Sequence, residues 1–277
     1  HLAATYILSV LAEEVVPHTA YNYHEAYGVA QAARIKAIEE GLDFDGSRIA
    51  GGSPANLGQY PHMGGLVITL TNGATSVCGS SLISNNRAVT AAHCWTDGRN
   101  QARQFLVVLG SVRLFQGGTR ITTNQVTMHP QFNTRNANND VAVIRINPVA
   151  LSNQINRIAL ATGTNSFENA AAMAAGFGRT GDNVGITQNQ VLSHVGLTVI
   201  SNAVCQRTFG ANVIASTICT SGAGGRSVCP GDSGGPLQVG GQLIGIVSFG
   251  SPFGCTRGFP AAYARVTSFA AWINSQL

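Results

Sequence analysis

Charge is scarce in this chain: Asp, Glu, Lys and Arg make up 10% of its 277 residues, against roughly 25% in ordinary soluble domains. That poverty excludes a disordered chain or a coiled coil, both of which depend on charged surface. No apolar run approaches the 18 or so residues of a membrane-spanning helix. The 33 glycines follow no triplet period, so a collagen-like strand is excluded too. Basic runs and recognition-helix patterns are missing, which argues against nucleic acid as a partner despite the net charge of +4. No Cys-x-x-Cys spacing suggests a metal or redox site, and no Asn-x-Ser/Thr sequon occurs. Lysine occurs once, at Lys36. Every cationic side chain after it is Arg, which keeps its proton where Lys loses it, near pH 10. This composition suits alkaline surroundings.

What is present divides at residue 48. Residues 1–48 carry seven acids and three bases, a net −4, whereas 49–277 carry thirteen Arg and five acids, a net +8. Such asymmetry suggests two parts with different tasks. Residues 1–12 read as the end of a secretory signal, with an apolar stretch and small residues before Glu13. Six cysteines, an even number, agree with disulfides and an oxidising compartment. Residues 13–48 read as a leader. Within it the stretch from Tyr21 to Gly41 predicts a short helix with Val29, Ala32, Ala33, Ala37 and Ile38 at near-helical spacing, stopped by Gly41. The acidic turn DFDGSR then ends at Arg48, where an Arg-directed protease can cut.

Beyond Arg48 short apolar runs (GLVITL, QFLVVLG, VAVIRI, QLIGIVSFG) alternate with Gly, Asn, Ser and Pro clusters, the pattern of antiparallel sheets in a sandwich or barrel. The end of the chain places Phe269, Trp272, Ile273 and Leu277 on one face of a helix that packs on the body.

Three segments carry chemistry. TAAHC puts His93 at the end of a strand beside a cysteine able to pin its loop, although His62, His129 and His194 are equal candidates by residue type alone. Asp140 stands where a loop enters the apolar run VAVIRI. CPGDSGGP sets Ser233 among glycines that let the backbone bend and a substrate approach. In such a bend the N–H groups of Gly231 and Ser233 can stabilise an oxyanion. A hydroxyl is a weak nucleophile and needs a base, and the base needs orienting, roles that His93 and Asp140 can fill.

The motifs IAGG at Ile49, TAAHC, NNDVAV and GDSGGP, in that order, resemble those of chymotrypsin-like serine proteases over residues 49–277. YHEA, DFDGSRI, CGSSL and AAGFGRT are similar to insect midgut chymotrypsins, those of caterpillars in particular. The resemblance implies two six-stranded antiparallel β-barrels and a C-terminal helix after the propeptide. It implies a catalytic triad of His93, Asp140 and Ser233, an oxyanion hole at Gly231 and Ser233, and substrate-backbone pairing by Ser248, Phe249 and Gly250. It implies disulfides Cys78–Cys94, Cys205–Cys219 and Cys229–Cys255. None of these involves the leader, so the leader should leave after cleavage. Cutting after Arg48 by a trypsin-like activator would free the Ile49 amine to pair with Asp232. Many mammalian relatives hold that acid in the precursor with a His at the position of Ser76, so this precursor needs another latch.

The pocket implied by the resemblance has Ser227 at its floor, Gly250 and Ala261 on its walls and Pro230 at its rim. A neutral floor favours large hydrophobic or aromatic side chains, with small, elastase-like ones second. No acids stand between Gly110 and His129, where calcium-binding relatives place them, and no cofactor or metal is expected. The resulting expectation is a secreted, monomeric endopeptidase of the gut lumen, acting on proteins and peptides and subject to protein inhibitors. Collagenolytic breadth and a catalytically inactive binding homologue are the alternatives. The leader itself is either a simple mask or a folded inhibitor.

Overall fold

The computed structural model describes residues 18–41, 52–182 and 191–277. The signal-like segment 1–12, the acidic turn 43–48 and the Arg48–Ile49 junction lie outside the described residues.

The leader forms a wide π-helical turn, His24–Gly28, running directly into α1 (Val29–Glu40), which stops at Gly41. A short strand, β1 (Ser53–Pro54), follows. The first sheet comprises β2 (Met63–Leu70), β3 (Thr75–Ser84), β4 (Arg87–Thr90), β5 (Ala102–Leu109), β6 (Thr119–Thr123), β7 (Val126–Met128) and β8 (Ala142–Arg145). Its order is β6-β5-β2-β3-β4-β8-β7. Only Asn124 and Gln125 separate β6 from β7, so residues 119–128 act as one bent strand. That strand pairs with β5 at one end and β8 at the other, closing a six-stranded barrel. The apolar alternation explains its core: Leu66, Ile68 and Leu70 of β2 and Phe105, Val107 and Leu109 of β5 point inward at period two.

After β9 (Ala159–Leu160) the second barrel is built from β10 (Ala171–Gly176), β11 (Ser193–Ile200), β12 (Thr217–Thr220), β13 (Pro236–Val239), β14 (Gln242–Phe249) and β15 (Ala261–Arg265). The path β11-β10-β13-β14-β15-β12 closes when β12 pairs back with β11 through Val199↔Thr220 and Ile200↔Cys219. Its core holds Leu197, Val199, Ile218, Leu237, Ile244 and Tyr263. Helix α2 (Asn202–Phe209) flanks this barrel, and α3 (Val266–Asn274) ends the fold. Phe269 and Ile273 of α3 are buried, and the His129 ring lies edge-on to Phe269 and Trp272, tying the helix to the first barrel's 129 loop.

All three disulfides form as the resemblance implied. Two expectations need correction. Leu277 lies beyond α3 and is exposed, because the helix ends at Asn274. In α1, Ala33 and Ala37 face solvent, while Gln31, Ala32, Ile35, Ile38 and Glu39 are buried. The helix therefore docks on a face that mixes polar with apolar side chains.

Candidate active site

The cleft lies where the barrels meet. Strand β4 ends at Thr90 and the chain tightens into a single turn, Ala92–Cys94, pinned to β3 by Cys78–Cys94. This fixes His93, which is 1% exposed. Its Nδ1 lies 2.7 Å from Asp140 Oδ2, and its backbone N–H donates to Oδ1 at 2.8 Å. Asn139, at φ +58°, turns the chain just before Asp140, a conformation Asn tolerates better than most residues. From the other barrel, the Ser248 hydroxyl donates to Asp140 Oδ2 at 2.6 Å. The carboxylate thus orients the ring by two contacts. With the proton on Nδ1, Nε2 presents a lone pair.

Ser233 is buried in the loop before β13. Its carbonyl accepts from Gly79 N at 2.7 Å, and Gly234 N donates to Val247 O at 2.8 Å, so both barrels hold the bend. Gly234 has φ +79°, and a Cβ there would run into the Thr90 hydroxyl and the Gly79 carbonyl. Cys78, His93 and Cys94 also bring metal-type ligand atoms together, but the two sulfurs are bonded to each other and cannot serve as thiolates.

Beside Ser233 lies a recess lined by Ser227, Val228, Pro230, Phe249 and Gly250, with Thr19 and Tyr23 of the leader also on its wall. Phe259 and Pro260 complete the wall where Ala261 was expected; Ala261 is buried in the second barrel's core. The Cys229–Cys255 bridge ties the floor loop to the rim. Sequence reading passed over Asp182, whose carboxylate accepts from Cys255 N at 2.7 Å, Thr256 N at 3.0 Å and Thr256 Oγ1 at 2.6 Å. Burial pushes its pKa up, but these hydrogen bonds outweigh burial and hold it below the usual range.

A second recess holds Asp232 and is lined by Gly52, Gly176, Gly178, Arg179, Ser193, His194 and Ser227, among others. Asp232 accepts from Gly178 N at 2.7 Å and Cys229 N at 2.9 Å. Burial nevertheless pushes its pKa up to about 6, and among the described residues it has no ion-pair partner. Gly52, the first described residue after the Arg48–Ile49 junction, lines this recess.

The leader also reaches the site, which the sequence did not suggest residue by residue. Tyr23 lies edge-on to the His93 ring, centroids 4.9 Å apart. Ser76, offered as the place where a latch was missing, accepts or donates a 2.8 Å bond with His24 Nδ1.

Residues 49–273 match the trypsin family model, and the chain belongs to that family of serine proteases. It is 38% identical to a collagenase of Hypoderma lineatum over 233 residues, 82% of this chain and 86% of that protein. It is 34% identical to "Trypsin, alkaline C" of Manduca sexta over 261 residues, covering 90% and 96%. A solved structure of HL collagenase superposes with a TM-score of 0.76 at 36% identity, covering 82% of this chain and 98% of that one.

Proposed function

We propose that the chain is the zymogen of a secreted digestive endopeptidase, cut between Arg48 and Ile49, that hydrolyses peptide bonds after large hydrophobic or aromatic residues. The observation that carries the specificity is the uncharged recess beside Ser233, with Ser227 on its wall and no acid among its lining residues. An aromatic side chain gains there by leaving water, whereas a guanidinium would lose its hydration without a counter-charge.

In this reading Ser233 Oγ attacks the scissile carbonyl as His93 Nε2 takes its proton. Asp140 stabilises the imidazolium, and the N–H groups of Gly231 and Ser233 hold the oxyanion. His93 then returns the proton to the leaving amine, and water releases the acyl group. Ser248, Phe249 and Gly250 pair with the extended substrate.

Before cleavage Asp232 has no ion-pair partner among the described residues, although Arg179 lines its recess; afterwards the Ile49 ammonium enters and shapes the loop that carries Gly231 and Ser233. A free α-amine has pKa about 7.7–8.0. Activity near pH 10 therefore requires pairing with Asp232 to raise it by about 2, worth roughly 3 kcal/mol. That stabilisation is complete below pH 8 and fades as pH rises through the paired amine's pKa.

The test is hydrolysis of matched peptide amides ending in Phe, Leu or Arg, at pH 8 and pH 10, before and after cleavage with trypsin and its inactivation. Phe-directed activity appearing with a new IAGG terminus and persisting at pH 10 supports the reading. Arg-directed activity overturns the pocket assignment, and none at all after complete cleavage favours an inactive homologue. The similarity to a collagenase makes native collagen the further substrate to try, because its digestion would indicate broader specificity.

A further inference from the structure

The leader buries more of itself than a spacer needs to. Tyr23, His24, Gln31, Ala32, Ile35, Ile38 and Glu39 are each at most 4% exposed, although they come from a segment the enzyme is proposed to discard. At one end, Tyr23 lies edge-on to the His93 ring, donates to Val77 O at 2.8 Å and lines the same recess as Ser233. Thr19 Oγ1 accepts the Gly250 N–H at 2.9 Å, a donor an extended substrate would use. At the far end of α1, Glu39 Oε1 and Oε2 accept from Leu114 N at 2.6 Å and Phe115 N at 2.8 Å, and the Gln116 side chain donates to Glu39 O at 2.6 Å. Between the anchors Ile35 packs in a cluster with Tyr60, Val77, Val108 and Phe177, and Gly28 passes so close to β3 that a Cβ would strike the Ser76 hydroxyl.

From this we infer that residues 18–41 are a reversible helical inhibitor of the protease, anchored at the catalytic centre by Tyr23 and at a separate carboxylate site on the Leu114–Gln116 loop by Glu39. The inference rests on the zymogen reading and extends it. The leader escapes hydrolysis because it meets Ser233 with a side chain on a helical turn, not with an extended peptide bond. It has no disulfide to the body, so after the cut at Arg48 only these contacts retain it, and its release becomes a second step of activation. The amides of Leu114 and Phe115 then form an empty site for the carboxylate of an acidic helical peptide.

The experiment starts from the full chain. Wild type and Tyr23→Ala, Gly28→Leu and Glu39→Gln chains are cleaved by trypsin at concentrations from about 10 nM to about 10 μM. Cleavage is followed by mass spectrometry and hydrolysis of a Phe-ended amide is followed in parallel. The substitutions lie in the leader, so every purified mature enzyme has one sequence and must show one kcat. In the wild type, activity should lag behind cleavage at the higher concentrations and recover on dilution. Tyr23→Ala and Gly28→Leu should abolish the lag, weakening retention by about 30-fold or more, as expected for loss of a central buried contact. Glu39→Gln should shorten it by a smaller factor. Added leader peptide 18–41 should inhibit mature enzyme competitively, more strongly than the Tyr23→Ala peptide. If wild-type activity tracks cleavage at every concentration and the added peptide does not inhibit, the inference is overturned while the zymogen reading stands. If uncut Tyr23→Ala chain is already fully active, the plug is supported and the amine switch is what fails.

Discussion

Asp140 is held by three hydrogen bonds: His93 donates to it twice and Ser248 once, and all three residues are buried. Replacing it with Asn keeps the shape but offers an amide where the ring needs an acceptor, so His93 takes the wrong tautomer. Asp140→Asn should lower kcat about 10⁴-fold with little change in KM. Ser248→Ala removes one hydrogen bond to a charge, worth about 1.5–3 kcal/mol, and should lower kcat roughly 10- to 100-fold. Steady-state kinetics on the cleaved enzyme checks both. At the recess, Ser227→Asp should exchange Phe for Arg preference, measured as the ratio of kcat/KM values. His93 and Ser233 were legible from the cysteine and glycines beside them, whereas Asp140 stands among asparagines and Ser227 and Ser248 were placed only by the family resemblance. Asp182 was not legible. It is a lone acid in a loop, and only the fold shows that residues 255 and 256 close on it.

Strands were legible at the scale of elements, since GLVITL, QFLVVLG, VAVIRI and QLIGIVSFG each fall on one, whereas their closure into two barrels came only with the family resemblance. The closure of the first barrel through the bent stretch 119–128 was not legible, because TRITT and VTM are half exposed and carry little apolar signal. The leader helix and its stop at Gly41 were foreseen, but its buried face was misread. Periodicity counts apolar residues, and here a docking surface satisfies Gln31 and Glu39 while leaving Ala33 and Ala37 in water. The Cys205–Cys219 bridge joins α2 to β12 across 14 residues. Replacing both cysteines with Ala should cost about 2–4 kcal/mol, read from denaturant midpoints, without changing the pocket preference.

The whole molecule couples folding to protons through two buried histidines. Burial lowers the pKa values of His24 and His62 to about 4, and the Nε2 of His62 lacks a hydrogen-bond partner among the described residues. Both rings are thus neutral when packed. In the unfolded chain they take up protons near pH 6.5, so their contribution is complete above that value and is lost as pH falls toward 4. Asp232, raised to about 6, and Glu39, also raised by burial, work the other way, while burial lowers His18 and His129 in the same direction as His24 and His62. The uncut chain should therefore lose thermal stability between pH 7 and pH 4. His62→Phe should shallow that slope, with melting temperatures across the range as the check. His24 belongs to the leader, so part of the acid sensitivity should leave with it.

The central claim is that one buried serine becomes a nucleophile when the chain is cut at Arg48. Its most direct measurement is the intact mass of uncut and cleaved protein after brief exposure to an aryl sulfonyl fluoride, followed by peptide mapping. The account predicts one adduct, on Ser233, forming rapidly only after cleavage and release of the leader, and none in His93→Ala. Equal labelling of the uncut chain, or an adduct elsewhere with Ser233 unmodified, would contradict it.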